Sequence, residues 1–193
     1  MKFDFVDIGT SDFDLGYGSV GLQSSHLLIE PVSYYLNRIP EAEGVVKINA
    51  AISDRDGEGD VYYLSEETIA ELKLPFWVRG CNRISSPHPT LVKILNGQDA
   101  WSIQKIRTIK FSTLIQELKI EAIGSLKIDT EGLDHIVLSG VADCIDSGLS
   151  VDRVMCEWVP AFGNTEQLKE LCFRLWNYFP KQELKGEDIY LTK

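Results

Sequence analysis

The chain is short of basic charge. Its 193 residues carry 19 Lys and Arg against 29 Asp and Glu, a formal net charge of −10. Phosphate-binding faces need clustered Lys and Arg, and anionic membrane surfaces attract the same residues, so neither kind of partner is favoured. A neutral or small-molecule ligand is easier to accommodate. Cysteine is scarce as well. Cys81, Cys144, Cys156 and Cys172 form no C-x-x-C pair, which removes the usual zinc and redox motifs, and no acid spacing demands a metal. The last three sit in apolar patterns and are expected as buried, reduced thiols. No apolar run is long enough to span a bilayer. The opening MKFDFVDIGT has no apolar signal core, so a cytoplasmic chain is expected. Repeats, low-complexity tracts and linkers are absent. A dinucleotide glycine loop is missing too: after Gly9, Ser11 and Asp14 stand where G-x-G-x-x-G has its later glycines.

What is present reads as one α/β domain of ordinary composition, 44% hydrophobic and 25% charged. Strand patterns fall at 3–8, 26–29, 45–52, 61–64, 106–111 and 151–159. Helical patterns fall at 33–39, 65–72, 112–118, 133–144 and 165–178, with Ser33, Ser65 and Ser112 as candidate caps. The stretch 16–25 is too rich in glycine for a good helix, and 75–96, with four prolines and glycines, reads as irregular. Two short terminal strands flank Gly186. Strands joined by helical crossovers predict a doubly wound, mostly parallel sheet, Rossmann-like, with a C-terminal antiparallel hairpin.

The strand ends carry the chemistry. The first ends in Asp7-Ile8-Gly9-Thr10-Ser11, the second in Glu30, the third in Ser53-Asp54, and the run LKIDTEGLD ends its strand in Asp129 and Glu131. Glu157 closes the strand after that. Ligands of open α/β sheets bind at this carboxyl edge. A glycine after the first strand lets backbone approach a ligand, and a carboxylate about 20 residues on accepts from both hydroxyls of a ribose. Ser53 and Asp54 are placed to meet an adenine edge. Asp12 and Asp14 would repel a pyrophosphate, whereas a sulfonium cofactor with an ammonium group and no phosphate, S-adenosylmethionine (SAM), suits an acidic loop.

These stretches, FVDIGTSDFD, LLIEP, NAAISDRDG, RGCNRISSPHPT and SLKIDTEGLDHIVLSG, lie in order between Phe5 and Gly140. Together they resemble the FkbM-type branch of the class I SAM-dependent methyltransferases. The resemblance implies a class I methyltransferase fold and transfer of a methyl group from SAM, usually to an oxygen of a sugar, polyketide or similar acceptor. Asp7, Gly9, Ser11, Glu30, Ser53 and Asp54 are then the expected cofactor contacts.

Methylation of a hydroxyl is helped by a general base, and Asp129, Glu131 and His88 are the candidates. One of the two acids can instead cap the helix that follows, and His88, between two prolines, can be an ordinary loop residue. Lys127 either pairs with an acid beside the site or plays a structural part. Substrate choice is expected to reside in 75–101. Two other readings stay open: a non-catalytic interaction module on the same fold, and an NAD-binding oxidoreductase.

Overall fold

Five parallel strands bring their carboxyl ends to one edge, and that edge carries the site. The structure, a computed structural model, describes residues 1–11 and 24–193. The expectations for Asp12, Asp14 and most of 16–25 lie outside the described residues. In chain order come β1 (Lys2–Ile8), β2 (His26–Ile29), helix α1 (Ser33–Arg38), β3 (Val45–Ile48), β4 (Ala51–Ile52) and β5 (Gly57–Tyr63). Next are α2 (Glu66–Glu71), β6 (Arg83–Ile84), α3 (Pro89–Leu95), β7 (Ser102–Ile109) and α4 (Phe111–Leu118). Then follow β8 (Ala122–Ile128), α5 (Asp134–Asp146), β9 (Ser150–Glu157), α6 (Thr165–Arg174), β10 (Lys181–Lys185) and β11 (Asp188–Thr192).

The main sheet has the order β10-β11-β9-β8-β1-β2-β3. β9, β8, β1, β2 and β3 are mutually parallel. β11 joins β9 antiparallel, and β10 joins β11 antiparallel. The α/β class and mostly parallel sheet match the reading of alternating elements. β2 shows why its sequence is a continuous apolar run. Leu27 and Ile29 enter the large core shared with α4, α5 and α6, while Leu28 packs with Leu36 and Ile39. A strand buried on both faces has no polar face to display. α5 meets α4, α6, β8 and β9 through Val137, Leu138, Val141 and Ala142.

A second sheet, β4-β7-β5-β6, was not legible in the sequence. The run 45–52 reads as one strand but breaks at Asn49. The Asn49 side-chain amide donates to the carbonyls of Glu30 (2.8 Å) and Pro31 (2.9 Å), and the chain leaves the main sheet there. Ala51 and Ile52 then pair with Thr108 and Ile109. β5 begins at Gly57, well before Val61, because it pairs with β7 along its length.

The stretch 75–96 is less irregular than its prolines suggest. Pro89 stands at the start of α3, where it has no N–H to lose, and Asn96 ends the helix in the left-handed conformation. Ser65 caps α2 by accepting from Thr68 N–H at 3.2 Å. Ser33 and Ser112 do not cap; Val32 and Lys110 hold those positions. Asp56 does that work for α4 from outside the helix, accepting from Lys110 N–H (2.8 Å) and the Thr113 hydroxyl (2.9 Å). Cys81, Cys144 and Cys156 are buried and Cys172 is half-buried. Among the described residues no helix is long and apolar enough to cross a membrane.

Candidate active site

Strand order reverses at β1: its sequence neighbour β2 lies on one side and β8 on the other. A crevice opens at such a point. Gly9 N–H donates to Ile29 O (2.9 Å) and Asp129 N–H to Ile8 O (3.0 Å), so the three strand ends are tied together. Gly9 has φ +85°, and a Cβ there would stand 1.7 Å from the Asp129 carbonyl oxygen. Asp7 is fully buried below this turn, where Thr10 donates its hydroxyl to it at 3.1 Å. Asp7 supports the turn from beneath and is not part of the cavity wall.

Above the strand ends lies a cavity of about 280 Å³. Gly9, Ser11, Glu30 and Ile52 line one side; Asp129, Thr130, Glu131 and Glu157 line another; and Trp77, Cys81, Asn82 and Ile84 form a wall from the middle of the chain. Glu30 is 2% exposed. Its two oxygens accept from Ser11 N–H (3.0 Å) and Val32 N–H (2.8 Å), which fixes the carboxylate at the rim. Burial, reinforced by Asp7 and Asp129, pushes its pKa up to about 7, against the pull of those two hydrogen bonds. Ser11 contributes its backbone, held at φ +48°. Ser53 and Asp54 are not brought to this cavity. They line a second cleft with Phe111, His135 and Gly140, because Ser53 N–H follows β4 onto Ile109 O (2.9 Å) of the small sheet.

The acids at the end of β8 are held differently. Asp129 pairs with the buried Lys127 at 3.3 Å, and Lys127 also lies 4.0 Å from Asp7. Glu131 has φ +52°, an unusual backbone conformation for a glutamate. Its Oε2 lies 3.0 Å from His88 Nε2, off the straight line of a full hydrogen bond. Burial, then Asp129 and Asp134, raise the Glu131 pKa well above the ordinary range. His88 is buried against Phe162, and burial, then Arg83, lower its pKa to about 4. Its Nδ1 accepts from Thr90 N–H at 3.2 Å, so the neutral ring carries its proton on Nε2. His88 therefore presents a donor to Glu131 rather than an open base.

Neither Asp129 nor Glu131 caps α5. The N-cap position is Leu133, with no side-chain cap, and Asp134 accepts from Thr130 N–H (3.1 Å) and Gly132 N–H (3.0 Å) ahead of the helix, which shapes the loop that presents both acids. Asp134 was assigned no role from sequence, although an acid in the first turn of a helix is a legible signal. Its removal in Asp134→Ala leaves one buried and one part-buried N–H group without that acceptor. We expect a loss of about 2 kcal/mol in chemical denaturation.

Cys81, His88 and Glu131 have donor atoms within 4.8 Å of one another, the donor types of a metal site. The Thr90 bond places a proton on the His88 nitrogen that a metal at this point would need, so the trio reads as a close-packed support for Glu131.

Stability should follow these groups with pH. Glu30 (about 7), Asp134 (about 6) and Glu157 (about 9) are all raised above ordinary carboxyl values by burial. Their contribution is full below those ordinary values and is lost as pH rises through the folded ones. His88, lowered from 6.5 to about 4, contributes above 6.5 and loses its contribution as pH falls through 4. Only the acids act in the upper window, so the melting temperature is expected to fall between pH 6.5 and 9 by several degrees, on the order of 2–4 °C per kcal/mol. A flat or rising thermal-shift profile over that window contradicts the assignment.

The site and its supports lie within one recognisable stretch. The methyltransferase FkbM domain matches residues 8–158, from the end of β1 to the residue after β9. The chain belongs to the FkbM methyltransferase family. Every strand end that lines the cavity is inside the match. Among solved structures, the crystal structure of methyltransferase FkbM from Methylobacillus flagellatus KT is similar over 100% of this chain, with a TM-score of 0.55 and 12% identity. That likeness is one of fold. This FkbM family member spans 44% of that chain's length. No curated protein matches it.

Proposed function

We propose that this FkbM family member is a SAM-dependent methyltransferase of the doubly wound class I type that methylates a hydroxyl of a small molecule or glycan. The observation that carries the reading is Glu30. It is a nearly fully buried carboxylate on the cavity rim at the end of the strand after Gly9, and two backbone N–H groups fix its orientation toward a vicinal diol. When bound, SAM supplies an electrophilic methyl group on a cationic sulfur. The residues present suit that group better than a dinucleotide, since the described residues that line the cavity include Asp129, Glu131 and Glu157 and no Lys or Arg to hold a pyrophosphate.

In this reading Glu30 binds the ribose, and Gly9 and Ser11 let their backbone approach the cofactor. Asp7 holds the Gly9 turn from below. Ile52 borders the adenine side, with Ser53 and Asp54 beyond it in the neighbouring cleft. Asp129 and Glu131 face the acceptor, either one serving as the group that takes its proton, and His88 orients Glu131. The wall from Trp77 to Ile84 shapes the acceptor's entry.

Isothermal titration calorimetry with S-adenosylhomocysteine (SAH), SAM and NADH tests this. One-site binding of SAH and SAM and none of NADH is expected. Binding of NADH alone supports the oxidoreductase reading, and binding of none of the three to folded protein supports the interaction module.

A further inference from the structure

The far wall of the cavity holds a carboxylate with no settled partner. Glu157 ends β9, beside Asp129 at the end of β8, and its Oε2 is buried with no hydrogen bond. Acids face it from every element packed against it: Asp129 and Glu131 from the loop after β8, Asp134 from the start of α5, and Asp188 opposite it on β11. Among the described residues, neither nearby cation forms an ion pair with Glu157. Lys127 pairs with Asp129, and Arg83, whose Nε is buried without a hydrogen bond, acts electrostatically on Glu131 and His88. His88, 4% exposed, turns its Nε2 to the same wall without a full hydrogen bond.

We propose that Glu157 is the charge-matching residue of this site, protonated while the cavity holds no sulfonium and ionised when one enters, so that the wall selects a sulfonium over a neutral thioether. The proposal rests on the SAM reading and deepens it. Burial first, and then the surrounding acids, push the Glu157 pKa up to about 9, so the free group holds its proton at neutral pH. A positive charge brought into this poorly solvated cavity is attracted to a carboxylate far more strongly than it would be in water. The balance is one positive charge in and one proton out to solvent. A neutral sulfur offers no such compensation, and Glu157 then stays protonated. The site thereby holds SAM in preference to the demethylated product, which it releases.

SAM and SAH share the ribose, adenine and ammonium groups and differ at the sulfur, so comparing them isolates this effect. Calorimetry at pH 7.5 in buffers of different ionisation enthalpy measures the protons released with each ligand. For the wild type we expect SAM to release more protons than SAH and to bind roughly tenfold more tightly. In Glu157→Gln the extra proton release disappears and the preference falls to about twofold or less, while SAH affinity stays within about twofold of wild type. SAH binding with equal proton release and equal affinity for SAM in the wild type overturns the proposal and leaves the cofactor reading standing. Binding of neither ligand overturns both. Equal proton release and equal affinity in the wild type overturn the proposal whether or not Glu157→Gln folds.

Discussion

Gly9→Ala is expected to destabilise the protein by more than about 4 kcal/mol, enough to leave little folded chain at 37 °C. Two costs combine. A non-glycine residue at φ +85° pays roughly 1–2 kcal/mol for the left-handed region. The larger cost is steric, because the new Cβ would stand 1.7 Å from the Asp129 carbonyl oxygen. That oxygen belongs to backbone whose N–H is bonded to Ile8 O, so it cannot step aside without parting β1 from β8. Those two strands are the middle of the main sheet, and Val6, Ile8, Leu126 and Ile128 behind them belong to the largest core. Gly148→Ala is the control. Gly148 has φ +106° with no atom within 4 Å of the added Cβ, so it pays the conformational cost alone. If the two substitutions prove equally damaging in urea denaturation, the close approach of β1 and β8 is not what constrains Gly9.

Glu30→Gln should lower SAH affinity by about 10- to 100-fold with the fold retained, as the loss of hydrogen bonds to a charged acceptor costs roughly 1.5–3 kcal/mol. Alanine is the poorer test at this position, because it would also strip the acceptors from Ser11 N–H and Val32 N–H. Glutamine keeps an oxygen for one of them, sets its NH2 against the other, and removes the charge that favours a diol. The wild-type carboxyl is raised to about 7, so wild-type affinity for SAH is expected to climb as pH rises from 6 to 8, while Glu30→Gln is flat over that range. An unchanged dissociation constant in the variant would remove Glu30 from the ligand.

The strands that bear the site were legible because parallel strands buried on both faces are written as short apolar runs. FDFVDI, HLLI and SLKID each announce one, and each ends in the residue that reaches the cavity or its floor. Glu30 and Glu131 could be placed at strand ends from this alone. What a strand end does next is set by distant partners. Ser53 and Asp54 look like strand-end ligands, yet the Asn49 side chain ends the strand early and a partner more than 50 residues away, β7, draws the next residues into another sheet. His88 looked like a loop histidine over the site. Its environment depends on α3, which begins just after it, and on Phe162 from far along the chain. Glu157 was visible as a strand end, but its unpartnered oxygen is a property of the whole cavity.

The most direct test of the account is a crystal structure of the protein with SAH. The account predicts SAH in the cavity between Gly9, Glu30 and Asp129, with both ribose hydroxyls within about 2.5–3.0 Å of the Glu30 carboxylate and the sulfur turned toward Asp129, Glu131 and Glu157. SAH in the neighbouring cleft beside Ser53 and Asp54, or in the cavity with Glu30 clear of the ribose, would contradict it.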